Sequence, residues 1–436
     1  MRTVQCKVAL YGCGTVGAGV AEALVSRGAP ADRAGDGIAL KYIVDARLDE
    51  IRRSLPLPEH VILTDDLDEA LRDPEVGVVV ELFGGTTVAR QVVASALKAG
   101  KDVVTANKAL LAEHGDSLYR LARRHGRCIA FEGSVGGGIP VIAAVRDGLV
   151  GDRIESVYGI VNGTCNYVLT RMLASGMPYA RALKEAQEKG YAEADPRLDV
   201  EGIDSAHKLA VLARLAFGVN VKLRDIPCEG IAGIELRDVQ YAQALGCTLK
   251  LLAVGIRHEE RLELRVQPAL LRQGHPLARM GGVYNAICIH GSLAGEIVLT
   301  GQGAGRLPTT SAVLADIVRV ALGVYGMQFA ALSQFGDVPD ASLVPMGHVE
   351  ARYYFRLDCR DRPGVLAKVA GILGEEDISI ASVRQQELAS PGEKFVPVVF
   401  MTHPAREASL KKALERINAV DVVRGERTRM LRVEDV

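Results

Sequence analysis

The stretch Val8-Ala-Leu-Tyr-Gly12-Cys-Gly14-Thr-Val-Gly17 sets a G-x-G-x-x-G pattern directly after an apolar strand candidate, Cys6–Tyr11, and at the start of a helix candidate, Thr15–Arg27. In that setting Gly12 permits the tight turn, Gly14 lets a pyrophosphate approach the backbone, and Gly17 lets helix and strand pack closely. The helix N-terminus adds unpaired N–H groups and the positive end of its dipole. Gly12, Cys13, Gly14, Thr15, Val16 and Gly17 are therefore the expected contacts of a dinucleotide. Asp45 closes the next strand candidate, where an acid bonds a ribose 2′-hydroxyl and repels a 2′-phosphate, favouring NAD over NADP. Arg47, two residues on, could still accept a phosphate, and Asp45 also reads as a plain turn residue.

Outward from this loop, strand candidates Leu40–Val44, Val76–Leu82, Asp102–Thr105 and Cys128–Phe131 alternate with helix candidates such as Val88–Ala99. That alternation predicts a Rossmann-type, doubly wound parallel sheet over residues 1–137, completed by a helix at about 307–326. Residues 138–335 read as an α+β catalytic and dimerisation domain. A helical run, Ile139–Leu149, leads to a strand, Ile154–Val161, and three helical stretches to about Gly218. Strand candidates Thr248–Arg257, Leu262–Val266, Ala286–Ser292 and Glu296–Thr300 then suggest a mostly antiparallel sheet. A linker at 336–350, rich in Pro, Asp and Gly, precedes a last domain at 351–430. Its order is strand Arg352–Asp358, helix Val365–Glu375, strands Ser379–Gln386 and Phe395–Met401, helix Ala405–Ile417 and a strand at Val420–Arg424 or a little beyond. That βαββαβ order is the ferredoxin-like unit.

Composition narrows the function. At 436 residues the chain is too long for one core, and with 48% hydrophobic but only 5% aromatic residues its cores are aliphatic. Lys and Arg number 52 against 53 Asp and Glu, which leaves no basic stripe for nucleic acid. Apolar runs such as Val76–Phe83 are strand-length, short of a membrane span, and the N-terminus shows no signal-peptide pattern. The eight cysteines are scattered, without Cys-x-x-Cys or zinc spacing, so reduced, mostly buried thiols in a cytoplasmic protein are expected.

Three segments carry the polar chemistry. Gly100-Lys-Asp-Val-Val-Thr105-Ala-Asn-Lys108 ends a strand at the carboxyl edge of the sheet, where cofactors bind; a solvated helix-start lysine is the plainer reading of Lys108. Phe131-Glu132-Gly-Ser-Val-Gly-Gly-Gly-Ile139 gathers glycines that allow close approach to a ligand or ion, or simply a domain crossover. In the third, Gly190–Lys208, Asp204 and Lys208 are four apart on a predicted helix, and Val211 and Leu215 continue their face inward. A surface ion pair is the ordinary reading of that spacing. A partly buried lysine beside a carboxylate, however, can pass a proton to a carbonyl oxygen as hydride arrives. His207 lies about 100° off that line and reads as structural.

Taken together, GKDVVTANKALLAEHG, FEGSVGGGIPVI, GIVNGTCNYVLTRML and GYAEADPRLDVEGIDSAHKLAVLA resemble homoserine dehydrogenase over essentially the whole chain, in its monofunctional form with a C-terminal ACT domain. With no kinase-sized segment before the glycine loop, the aspartokinase fusion is not expected. The resemblance implies reversible NAD(P)H-dependent reduction of L-aspartate 4-semialdehyde to L-homoserine, in threonine, methionine and isoleucine biosynthesis. It implies Lys208 as general acid/base, with Glu193, Asp199 and Asp204 around the substrate and Lys108 between substrate and nicotinamide. It places Thr105, Lys108 and Gly303 of GQGAG at the cofactor. It implies a monovalent cation, Na or K, at Glu132, Val135, Gly137 and Ile139. Asp361-Arg-Pro-Gly364-Val-Leu resembles the first turn of an ACT domain, which implies threonine as effector and a homodimer or homotetramer. The alternative for that domain is a dimerisation module that has lost its ligand.

This sequence has Cys165 where the family usually has Thr; a buried apolar thiol is the expected reading. Two other functions remain open at this level. One is a phosphate-dependent semialdehyde dehydrogenase with Cys165 as nucleophile. The other is a catalytically inactive amino-acid sensor, against which Lys208, Glu193 and Asp204 all speak.

Overall fold

A computed structural model describes residues 6–26, 37–385, 395–425 and 428–435. They form two compact units. The first comprises Met1–Gly163, Asp204–Ile226 and Tyr284–Ala341, and the second Thr164–Ile203, Pro227–Val283 and Ser342–Val436.

In the first unit, β1 (Cys6–Tyr11), β2 (Ile38–Val44), β3 (Ile62–Thr64), β4 (Val76–Glu81), β5 (Asp102–Thr105) and β6 (Ile129–Ala130) make a parallel sheet in the order β3-β2-β1-β4-β5-β6. Their side chains are apolar on both faces because helices cover both, as parallel sheets require. The order reverses between β1 and β4, so a crevice opens at their carboxyl ends. The helix Thr15–Val25 ends inside the expected span, whose last residue, Arg27, lies outside the described residues. β3 is an addition to the expected strands; three residues are too few to show a periodicity. The helix Arg306–Ala321 packs on Thr15–Val25, and a Cβ on Gly19 would meet Thr310 Oγ at 2.4 Å. The same unit holds an antiparallel set built from β7 (Ile154–Ile160), with β10 (Tyr284–Gly291) and β11 (Gly295–Gln302). The helical run expected from Ile139 starts only after Pro140, as a three-residue turn followed by a π turn over Ala144–Gly148.

In the second unit, the long hairpin β8 (Cys247–His258) and β9 (Arg261–Arg272) continues through β12 (Glu350–Arg360), β13 (Ile380–Gln385), β14 (Phe395–Thr402) and β16 (Arg429–Glu434) in the order β8-β9-β16-β12-β14-β13; the short β15 (Ala405–Arg406) pairs with β12. β9 runs well past the expected Val266, through Pro268. The Val266 N–H points away from β8 to Pro227 O, Pro268 faces the same way, and pairing with β16 starts one residue later, so no ladder bond is lost.

The ferredoxin-like unit has its βαββαβ order, with helices Val365–Glu375 and Glu407–Asn418. Gln386, the expected end of one strand, lies outside the described residues. One expectation is narrowed: the last strand is not Val420–Arg424 itself but β16, a little beyond it. Val422 and Val423 are buried core residues below the helix Glu407–Asn418, and Val423 makes only an isolated bridge to Cys359. Their apolar pattern reflects that burial, while the ladder is supplied later by β16. Among the described residues no single helix is long and apolar enough to cross a membrane.

Candidate active site

Four sets of residues in the first unit gather at the ends of these elements. β1 breaks at Gly12, whose φ is +92°; a Cβ there would strike the Phe83 backbone at 2.7 Å. A Cβ on Gly17 would lie 2.1 Å from the Gly12 carbonyl oxygen, so the helix can sit this close only with glycine. Gly14 caps that helix, and the space before it is open, with Arg47 Nη2 at 3.9 Å the nearest atom to a Cβ. The arrangement fits a dinucleotide pyrophosphate. Asp45 reaches over this loop: its Oδ2 accepts the Cys13 N–H at 2.8 Å, and the Arg47 guanidinium grips both of its oxygens at 3.1 Å. Burial pushes the Asp45 carboxyl up, and Arg47 with these N–H groups more than reverses it, holding it below the usual range.

The second set shapes the turn after β5. Glu81, fully enclosed at the end of β4, accepts from Thr105 Oγ at 2.6 Å, Gly84 N–H at 3.2 Å and Asn107 Nδ2 at 3.4 Å. Asn107 Nδ2 also donates to Gly85 O at 2.7 Å, and its Oδ1 accepts from Leu110 N–H, capping the helix Lys108–Arg124. Lys108 is thereby fixed as the first residue of a 17-residue helix.

The third set sits on the helix Ile203–Phe217, buried over nearly its whole length. Lys208 Nζ donates to Asp204 Oδ2 at 2.7 Å and to Val161 O at 2.5 Å; Lys108 Nζ stands 3.0 Å from Asp204 Oδ1. Asn162 Nδ2 donates to Asp204 Oδ2 at 2.9 Å. Side-chain exposures of 9% for Lys208 and 10% for Asp204 set this pair apart from a solvated i,i+4 bridge. Burial pushes the Asp204 carboxyl up, but the two ammonium groups outweigh it and hold it far below the usual range. Asp204 is thus a fixed negative charge that orients two lysines. His207, half-buried, is pushed down by burial.

The fourth set is a pair of glycine turns stacked backbone to backbone. A Cβ on Gly137 would lie 2.6 Å from the Gly303 carbonyl carbon, and one on Gly303 would overlap the Asn285 amide at 2.0 Å. Asn285 is buried, and neither atom of its amide has a hydrogen-bond partner among the described residues. Buried amides in that state mark places where a ligand or water completes the bonding.

Glu132 begins the same glycine-rich segment. Its carboxylate accepts the N–H groups of Ile142 and Ala143 at 2.9 Å each and the Arg319 guanidinium at 3.3 Å, while its own N–H donates to Asp316 Oδ2 at 2.6 Å. Burial pushes the Glu132 carboxyl up, with Arg319 the strongest influence opposing it. The enclosed Asp316 is pushed up to about 8 by burial and then by the Glu132 charge. The expected cation set of Glu132, Val135, Gly137 and Ile139 fits poorly: the charged oxygens already face three donors, and the Ile139 carbonyl already accepts the Val141 N–H at 2.8 Å.

Glu193 and Asp199 belong to the second unit. Glu193 is exposed. Asp199 Oδ2 stands 3.2 Å from the Thr164 hydroxyl, which donates to Tyr191 O at 2.6 Å. The Cys165 thiol is fully buried in the helix Gly163–Ser175 and donates to Asp199 O at 3.2 Å. A cysteine so placed suits packing, not nucleophilic attack. All eight cysteines are free thiols.

Sequence reasoning assigned no role to Glu81, Asn107, Asn162, Asn285 or Arg319. Asn107 carried a usable signal, an Asn directly before a helix. Glu81 carried a fainter one, as the lone acid ending an apolar strand. Nothing local distinguishes Asn285 or Arg319.

Known proteins resemble this chain over essentially its whole length. The family described as homoserine dehydrogenase, NAD binding domain, matches residues 12–132, the one described as homoserine dehydrogenase matches 140–318, and an ACT domain matches 353–422. The homoserine dehydrogenase of Pseudomonas aeruginosa is 41% identical, with 99% of each chain covered. The chain belongs to the homoserine dehydrogenase family. A crystal structure of a homoserine dehydrogenase from Thiobacillus denitrificans is 38% identical and matches with a TM-score of 0.91 over 99% of this chain and 98% of that one. A hyperthermophilic archaeal homoserine dehydrogenase in complex with NADPH matches at 25% identity and a TM-score of 0.60, over 73% of this chain and 98% of that one. The family is one of oxidoreductases, and the first unit of this member carries its nicotinamide-cofactor domain.

Proposed function

We propose that this enzyme reduces L-aspartate 4-semialdehyde reversibly to L-homoserine, and that the enclosed Lys208–Asp204 pair, with the more exposed Lys108 beside it, is its catalytic machinery. The observation that carries this reading is one carboxylate holding two ammonium groups at 2.7 and 3.0 Å on a buried helix. A nicotinamide dinucleotide, held by its pyrophosphate at the glycine loop, would supply the hydride. Lys208 hands a proton to the substrate oxygen in reduction and takes it back in oxidation. Asp204 keeps the Lys208 ammonium aimed and compensates its charge in a place from which water is largely excluded. Lys108 adds positive charge where the carbonyl oxygen turns negative. Glu193 and Asp199 supply carboxylates for the amino group of the substrate. Gly12, Cys13, Gly14, Thr15, Val16 and Gly17 hold the pyrophosphate, Thr105 and Gly303 flank the rest of the cofactor, and Asn285 offers both a donor and an acceptor beside Gly303.

NAD is the preferred cofactor in this reading, because Asp45 already presents a carboxylate at the end of β2. Arg47 is engaged by that carboxylate, so a 2′-phosphate would have to win it away. The ACT domain binds threonine as a feedback effector, and the protein assembles as a homodimer or homotetramer in the cytoplasm.

Steady-state kinetics with homoserine, comparing NAD with NADP and with or without threonine, test all of this together. The expected result is homoserine-dependent reduction with kcat/KM roughly tenfold higher for NAD, a ratio that Asp45→Ala collapses. Activity absent with both cofactors refutes the reaction. A ratio favouring NADP refutes the role given to Asp45, and turnover indifferent to threonine refutes the effector.

A further inference from the structure

We propose that Arg319 takes the place of the alkali cation in this enzyme, so that its folded state and turnover need neither Na nor K. The inference uses the family reading only for where such a cation would be expected. A carboxylate has about four acceptor positions. At Glu132 three are filled, by the Ile142 and Ala143 N–H groups and by the Arg319 guanidinium. The guanidinium is a permanent positive charge at Glu132 Oε2, where an alkali ion would seek the same electrons. The Glu132 side chain is only 3% exposed, so its charge needs a partner inside the protein, and Arg319 is that partner.

The contact also has a mechanical role that an ion would otherwise perform. Arg319 projects from the helix Arg306–Ala321, and the same helix carries Asp316, which accepts the Glu132 N–H at 2.6 Å. Side chain and main chain of Glu132 are thus both tied to one helix. The glycine turn that follows, through Gly137, is held against Gly303, whose turn leads into that helix. A pinned loop of this kind needs no loosely exchanging ion to stay in place.

Thermal unfolding of the full-length enzyme, followed by circular dichroism in potassium, sodium or choline chloride at equal ionic strength, tests the proposal without relying on turnover. Wild type is expected to show the same Tm in all three salts, and homoserine oxidation rates within twofold. Arg319→Gln is expected to lose roughly 3 °C or more in choline and to regain it saturably with potassium or sodium. Arg319→Lys, which keeps the charge, should stay salt-insensitive. A wild-type Tm that rises saturably with either alkali ion overturns the proposal. So does an Arg319→Gln variant with unchanged Tm in choline, or one that stays low in every salt. Should that variant not fold, the wild-type comparison decides alone.

Discussion

Lys208→Ala is expected to cut kcat for homoserine oxidation about a thousandfold while KM for the cofactor stays within a few-fold. The ammonium is enclosed, donates to Asp204 and to the Val161 carbonyl, and sits on a helix whose inward face is packed by Val211 and Leu215. Removing it deletes the proton carrier and leaves the negative charge of Asp204 to oppose the oxyanion. The fold should survive, because Lys108 and Asn162 still bond Asp204. Circular dichroism and an unchanged gel-filtration profile check that point. Near-normal turnover in a folded Lys208→Ala enzyme would remove the proposed role. Asp204 brings a pH signature of its own. Its folded pKa is depressed, so its contribution to stability is present above the ordinary carboxylate range and fades only as pH falls through the depressed value. The pH profile of turnover near neutrality should therefore carry no inflection from Asp204.

Asp238→Ala should destabilise the second unit by roughly 3 kcal/mol. Asp238, on the helix Leu236–Ala244, is fully buried and receives Arg356 of β12 at 2.7 and 3.2 Å, and the Tyr354 hydroxyl at 3.0 Å. Arg356 is equally buried, with Asp358 and Glu235 as further partners at 3.4 and 3.2 Å. The desolvation of two such ions is repaid only while both are present; truncating one strands the other. The pair joins the ACT strand to the segment before β8, so its loss should also loosen the ACT domain. Urea unfolding followed at 222 nm measures the cost. A double variant, Asp238→Ala with Arg356→Met, should recover much of it, since both charges leave together. A single variant as stable as wild type would show that the remaining acids suffice.

Much of this protein can be read from local sequence. The parallel sheet follows from apolar runs of strand length alternating with amphipathic ones, and β1, β5 and the helix Val365–Glu375 fall on their expected residues. The glycine loop is readable because torsion and close approach are properties of a few adjacent residues. Asp204 and Lys208 are readable as one face because helical spacing is local too. Val420–Arg424 shows the limit. Apolar residues under a helix and apolar residues in a ladder look alike until the hydrogen-bond partners are known.

Local patterns in the chain are enough to show that a dinucleotide loop, a lysine–carboxylate helix and an ACT-like segment exist, and near which residues. It takes the folded chain to show that Lys108 and Lys208 share one carboxylate, that Glu132 faces a guanidinium, and that the Asn285 amide lies buried beside Gly303. Each of those depends on segments far apart in the chain meeting inside a low-dielectric core. There, charge compensation and desolvation are set by neighbours that no local pattern encodes.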